Sequence, residues 1–264
     1  MVEGEDALSP GLILRSPWPG RLSDAQFERI AVTLLAIAAF LPYFVINRVT
    51  LAWPARDLGG PVDRLIPFNP AWELVYVSIY FYIFIVVAYV RDPWLFRRVA
   101  LTFALMQFTC FAIYLALPVG IERTGALDLK GSFLQWGVAL NYTIDQPRNL
   151  FPSLHLGNAF MVSLLLFHVQ RSIGAWALAW ASLIGYSTMA VRHHFFADVV
   201  AGIVVALVFD RLIIAPAVQQ ARGRVLLNPP RYAWAVIGIY PATVVALFVA
   251  WLAGVQWFAW PPGK

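Results

Sequence analysis

Two short stretches of this chain hold residues able to do chemistry together: Phe151-Pro-Ser-Leu-His155 and His194-Phe-Phe-Ala-Asp198. A neutral imidazole can attack phosphorus, and a carboxylate that accepts its other ring N–H fixes the tautomer and stabilises the positive charge that builds. His194 and Asp198 are four residues apart, the spacing of one helical face. Ser153 follows Pro152, a residue suited to the first turn of a helix, so its hydroxyl and free backbone N–H groups are expected to face an anion. His155 is placed to protonate a departing oxygen. The two histidines then need opposite protonation states, His194 neutral and His155 charged, which predicts a bell-shaped rate profile. Arg123, Arg148 and Arg192 are available to bind phosphoryl oxygens. Asn158, three residues beyond His155, is a further substrate-binding candidate. This chemistry calls for no metal and no cofactor.

The elements that must position these groups are membrane helices. Of 264 residues, 61% are hydrophobic and 12% charged, and mean hydropathy is +0.71. A soluble domain is nearer 45–50% apolar and about 25% charged. A span takes about 20 mostly apolar residues, and runs at 30–47, 72–90, 99–117, 153–170, 173–191, 195–214 and 232–258 approach that. The expected fold is all-α: a polytopic bundle with a six-helix core and a seventh, C-terminal helix. Residues 1–28 read as a cytosolic or interfacial tail, 29–215 as the catalytic membrane domain, and 216–264 as a basic loop with the last helix. Long connections at 48–71 and 118–152 stand out, because unstructured loops of that length are usually functional or disordered.

Lys and Arg beside helix ends set orientation. One side collects eleven, among them Arg91, Arg97, Arg98 and Arg211, and the other eight. The N-terminus is therefore expected in the cytosol and the histidine motifs on the outer face. Arginine supplies all but Lys130 and Lys264 of the basic residues, which points to a bacterial inner membrane. A net charge of +5 is ordinary for such flanks and requires no nucleic-acid partner. The lone Cys110 excludes an intrachain disulfide and a cysteine-based zinc site. His-Glu-x-x-His is missing, which argues against a metalloprotease. His193 is set outside the site, since on a helix its side chain points about 100° away from that of His194. His168, about 20 Å along the helix from His155, is expected at the opposite interface.

At this point the motifs meet a known family. Pro152-Ser-Leu-His155 resembles the second signature of the type 2 phosphatidic acid phosphatase superfamily, and Ser187-Thr188-x5-His194-x3-Asp198 resembles the third, usually Ser-Arg-x5-His-x3-Asp. Thr188 in place of arginine is similar to the branch containing inositol phosphorylceramide synthases, as are Asp63-Arg-Leu-Ile-Pro-Phe-x-Pro70 and Asp145-Gln-Pro-Arg-Asn149. The resemblance implies a phosphohistidine at His194, oriented by Asp198, with His155 as acid. It also adds Ser187, Thr188 and Asp145 to the candidate substrate-binding residues. The Lys-x6-Arg-Pro first signature is absent, and Pro118-x4-Arg123 stands near its place.

The expected activity is metal-independent hydrolysis of a membrane lipid phosphate through a phosphohistidine. Substrate would enter sideways from the bilayer and keep its chains in lipid. One alternative is a phosphotransferase that passes an alcohol phosphate to a second lipid or alcohol acceptor. Another is a non-catalytic protein that binds anionic lipid.

Overall fold

A computed structural model describes residues 14, 16–17, 23–123, 126–221, 230–256 and 258. Of the tail and basic loop expected at the chain ends, Arg15, Arg21, Arg222, Arg224 and Lys264 lie outside the described residues. The helices follow in chain order: α1 (Asp24–Ala38), α2 (Pro42–Val49), α3 (Pro61–Leu65), α4 (Glu73–Val77), α5 (Ile79–Tyr82), α6 (Phe84–Tyr89) and α7 (Pro93–Ala116). After them come α8 (Phe133–Ile144), α9 (Leu154–Val169), α10 (Arg171–Ala190), α11 (Phe196–Phe209), α12 (Ala215–Gln220) and α13 (Pro230–Leu252). A π turn at Asp210–Ile214 joins α11 to α12. Among the described residues there is no strand, only a parallel bridge of Arg56 with Val119. The all-α expectation holds.

Among the described residues, four helical stretches are long and apolar enough to cross a membrane: Asp24–Ala52, Pro93–Ala116, Phe196–Gln220 and Ala235–Leu252. Three of the seven expected runs differ. Residues 72–90 form three short helices whose joints fall at Ser78 and Ile83; the Ser78 hydroxyl donates back to the Val75 carbonyl at 2.6 Å, a bond that competes with the helical ladder. α9 has 16 residues, about 24 Å at 1.5 Å each, short of a hydrocarbon core of about 30 Å. α10 carries Arg171, three serines and a threonine among its 20 residues. The 118–152 connection also departs from expectation, because α8 occupies its middle and buries Trp136 and Tyr142.

α9 is the central helix. Its buried residues, among them Leu156, Ala159, Met161 and Leu165, spread over most of the helical wheel, the pattern of a helix largely enclosed by others. Close packing is bought with glycine at two crossings. A Cβ at Gly202 would strike the Ser153 carbonyl, and one at Gly174 would strike the Phe167 backbone. The first lets α11 touch the start of α9; the second closes the α9–α10 hairpin, whose turn is Gln170 alone. α7 begins with Asp92 accepting from the Leu95 N–H at 2.7 Å and Pro93 in its first turn, a strong start signal.

Candidate active site

The site forms where the N-termini of α9 and α11 meet. The Ser153 N–H donates to the Asp198 carbonyl at 2.9 Å, so the two motifs are joined through backbone. Two residues past the end of α10, Arg192 is in the left-handed region, φ 55°, and the N–H groups of His193 and His194 both donate to the Thr188 carbonyl, at 2.8 and 3.2 Å. α11 starts only at Phe196. His193 and His194 therefore lie in a turn, and the helical-wheel argument that set His193 aside does not apply. His194 and Asp198 still meet, but through this turn rather than as one helical face. Asp198 is the third residue of α11 and reaches back to its N-cap, its Oδ2 accepting from the Phe195 N–H at 2.8 Å. Asp63 pins the next N–H, accepting from Phe196 at 2.8 Å.

The side chains form a row. His194 Nδ1 lies 3.4 Å from Asp198 Oδ2, His194 Nε2 lies 3.1 Å from His155 Nδ1, and His155 Nε2 lies 3.1 Å from the Tyr76 hydroxyl. One set of tautomers satisfies every link: Tyr76 donates to His155 Nε2, His155 Nδ1–H donates to His194 Nε2, and His194 Nδ1–H donates to Asp198. Both histidines are neutral in that arrangement. The charged His155 expected from the sequence is thus not needed to hold the row together. His194 and Asp198 are almost wholly buried, and Asp198 Oδ1 has no partner.

A second group backs this row. His193 stacks on Tyr76, ring centres 4.3 Å apart and 15° from parallel, and Arg123 Nη2 reaches its Nδ1 at 3.1 Å. Arginine only donates, so His193 Nδ1 accepts and its proton sits on Nε2. Arg123 also donates to the Tyr142 carbonyl at 3.3 Å and to the Asp145 carbonyl, and its guanidinium covers the Tyr142 ring. Burial, then the Arg123 charge, hold His193 well below the usual histidine pKa. Burial pushes the Asp145 carboxyl up, against the opposing pull of Arg123 and the Tyr43 hydroxyl bond of 2.7 Å. Asp145 Oδ2 is 3.8 Å from His193 Nδ1, beyond hydrogen-bond reach. Arg123 Nε and His193 Nε2 are buried donors with no partner. Such orphans are costly, and each is a donor that an acceptor would satisfy.

Several sequence candidates have other partners. Arg148 donates to the carbonyls of Thr50, Pro147 and Leu51 and so fastens the two long connections together. Arg192 donates to Asp63 and Ile66 carbonyls at 3.2 and 3.0 Å, holding the loop that carries Asp63. The hydroxyls of Ser187 and Thr188 turn back to Ile184 and Gly185 carbonyls, and both residues are fully buried. Ser153 caps α9 through the Leu156 N–H at 3.4 Å, while Pro152 sits before the cap instead of in the first turn. Asn158 is buried with its Oδ1 unpaired. Tyr76 and His193 were missed. Tyr76 had no signal inside an apolar run, whereas His193 was hidden by the assumption of unbroken helix.

Curated proteins and solved structures offer no match to this chain. The family model described as the PAP2 superfamily matches residues 66–210, more than half of the sequence and the region that contains α4 to α11. Apolar helices and this match together make the chain an integral membrane protein. It belongs to the PAP2 superfamily, whose members are generally phosphatases or phosphotransferases.

Proposed function

We propose that the protein is a lipid-phosphate phosphatase that works through a phosphohistidine at His194. The observation that carries this reading is the buried row Tyr76–His155–His194–Asp198 beside the unpartnered donors of Arg123 and His193. His194 Nε2 attacks phosphorus, forming the N–P bond as the P–O bond to the lipid breaks. His155 gives its proton to the departing oxygen, and Asp198 stabilises the charge on His194. Water then attacks phosphorus, losing its proton to His155 as the N–P bond breaks. Arg123 Nε and His193 Nε2 serve the phosphoryl oxygens, a role that falls to Arg123 because Thr188 stands where the family pattern has arginine. With both histidines neutral at rest, His155 takes up the proton it later delivers when the anionic substrate arrives.

Transfer is the second reading, favoured by Ser187-Thr188 and Asp145-Gln-Pro-Arg-Asn149, which resemble the inositol phosphorylceramide synthase branch. In that case a lipid alcohol replaces water in the second step. The charge bias supports an N-terminus in the cytosol and a site on the outer face, and the arginine-rich composition supports a bacterial inner membrane. Purified protein with EDTA and a lipid phosphate is expected to release phosphate and to trap an acid-labile phosphoenzyme. Adding candidate acceptor lipids and analysing products by mass spectrometry separates hydrolysis from transfer. Full turnover by His194→Ala would end the assignment.

A further inference from the structure

The row of side chains does not stop at Tyr76. Its hydroxyl is 3.1 Å from that of Tyr80, Tyr80 donates to Asn141 Oδ1 at 3.3 Å, and Asn141 Nδ2 donates to Glu73 Oε1. Glu73 is the only charged residue of the run 72–90. It is 3% exposed, and among the described residues its Oε2 has no partner. Glu73, Tyr76 and Tyr80 recur at steps of three and four, the spacing of one helical side. α8 covers them with Asn141 and with Gly137, where an added Cβ would lie 3.5 Å from Glu73 Cγ. An ionisable group so placed in an apolar run is costly and usually functional.

Donors along such a row cannot be chosen one at a time. Each hydroxyl has one proton, and Asn141 has one donating and one accepting end, so the sense of the last link sets the sense of the first. With Asn141 donating to Glu73, the carboxyl is ionised, Tyr80 donates to Asn141, Tyr76 to Tyr80, and His155 Nε2–H to Tyr76. His194 keeps its own proton on Nδ1 for Asp198 and its lone pair on Nε2 only if His155 Nδ1 also carries a proton. His155 is then an imidazolium. A half-turn of the Asn141 amide gives the opposite sense: Glu73, now an acid, donates to Asn141 Oδ1, and the hydroxyls point toward a neutral His155.

Transfer of a proton to a departing oxygen needs both senses. A neutral His155 holds its proton on Nδ1 and cannot release it unless a second proton arrives at Nε2. The hydrogen-bond partner of Nε2 is Tyr76, and from Tyr76 the bonds lead to Glu73. Other charges surround the row. Arg123 attracts a Glu73 carboxylate and repels an imidazolium at His155. Asp145 acts on Tyr76 and Tyr80, Tyr142 and Tyr240 adjoin Glu73 from α8 and α13, and His193 stacks on Tyr76. Among the described residues, Glu73 is the carboxyl hydrogen-bonded into the row on the Tyr76 side.

We propose that Glu73 is a positioning residue that sets the charge of His155: the row holds one proton in excess, on Glu73 when His155 is neutral and on His155 Nε2 when Glu73 is a carboxylate. In that exchange one O–H bond at Glu73 breaks and one N–H bond at His155 forms. Both tyrosines and Asn141 keep their own number of protons and reverse their sense. An anionic phosphate beside His155 favours the second state, and the row relaxes to the first after water has returned a proton to Nδ1. The acid role of His155 rests on the phosphatase or transferase reading; the sharing of the proton does not.

The resting full-length protein, with nitrogen-15 in its histidines, tests the sharing without turnover. Infrared spectra of wild type and Glu73→Gln assign the Glu73 carboxyl, and the ring nitrogen shifts give the charge of His155. Near neutral pH one proton is expected between them, as an acid with a neutral imidazole or as a carboxylate with an imidazolium. Both groups protonated, or neither, overturns the proposal.

The second arm follows kcat/KM for phosphate release from phosphatidate against pH. Activity falls at high pH as the shared proton leaves. Glu73→Gln keeps a hydrogen-bonding group without a proton to give, so His155 holds the proton alone and the alkaline limb is expected to move down by about one pH unit or more. An aryl phosphate, whose leaving group needs no proton, is expected to change by less than about twofold. Tyr80→Phe, at a residue 39% exposed, cuts the row without touching Glu73. It is expected to move the limb the same way, with the double variant shifted no further than Glu73→Gln alone. Tyr80→Phe serves alone where Glu73→Gln does not fold. An unmoved limb in either folded variant, additive shifts, or equal losses on both substrates overturns the proposal. A shared proton in a protein that turns over no lipid phosphate leaves Glu73 and His155 coupled and removes the catalytic reading.

Discussion

Among the described residues two histidine–aspartate pairs are within hydrogen-bond reach, and the better-formed one is not the candidate site. His168 Nε2 and Asp210 Oδ1 are 2.8 Å apart, whereas His194 Nδ1 and Asp198 Oδ2 are 3.4 Å apart. Both aspartates are buried, but His168 is 29% exposed at its side chain and His194 only 4%. The difference lies in what adjoins each pair. Beyond His194 come His155 and Tyr76, with Arg123 and His193 behind them. His168 ends α9 and faces the π turn between α11 and α12. A short hydrogen bond therefore indicates a satisfied pair; chemistry needs a proton source and donors for the developing charge beside the imidazole, which among the described residues only the His194 end brings together.

The sharpest break between the ends is predicted for alanine substitutions. His194→Ala should lower phosphate release by at least about 10⁴-fold, the scale seen when a nucleophile is removed, while His168→Ala should leave it within about twofold. Equal losses would dissolve the contrast. Next in size, His155→Gln should cost about 10²–10⁴-fold on lipid phosphates, and less on an aryl phosphate whose leaving group needs no proton. A uniform loss across leaving groups would remove the acid role.

Stability should separate the ends in the opposite sense. His168→Ala leaves buried Asp210 without this partner, at a cost of about 1–3 kcal/mol, readable as a lower midpoint of unfolding in detergent. His193 offers a pH test in the connection between α10 and α11. It is held neutral in the fold, so below the ordinary histidine pKa the unfolded chain binds the extra proton. Stability is then full above that value and falls as pH drops through it, by about 1.4 kcal/mol per pH unit. His193→Gln should flatten this decline between pH 6.5 and 5; an unchanged slope would mean that His193 takes up its proton in the fold. The smallest effect is expected for Tyr76→Phe, which removes one hydrogen bond to His155 worth about 1 kcal/mol and should slow turnover by roughly fivefold.

Much of this was legible in the chain. Apolar composition and run length fix a helical membrane protein, and the four-residue spacing of His194 and Asp198 brings that pair together whether a helix or a turn carries it. Ser153 and His155 could be aligned with them because short connections force α9, α10 and α11 into antiparallel order. Arg148, Arg192, Ser187 and Thr188 could not be sorted by type alone. Each has a hydrogen-bonding group that suits phosphate, but backbone carbonyls reach those groups first.

Sequence by itself determined the solvent and the reagents: a lipid-embedded α-helical chain carrying two histidines and an aspartate at fixed local spacing. Tertiary structure alone decided which cations remain near the histidines, that His193 turns toward Tyr76, and that an apolar cleft reaches His155. The reason is that local spacing is set by covalent geometry, which a sequence states outright. Which donor meets which acceptor, and where space is left, depends on contacts between segments as distant as Tyr76 and His155, and no local rule contains them.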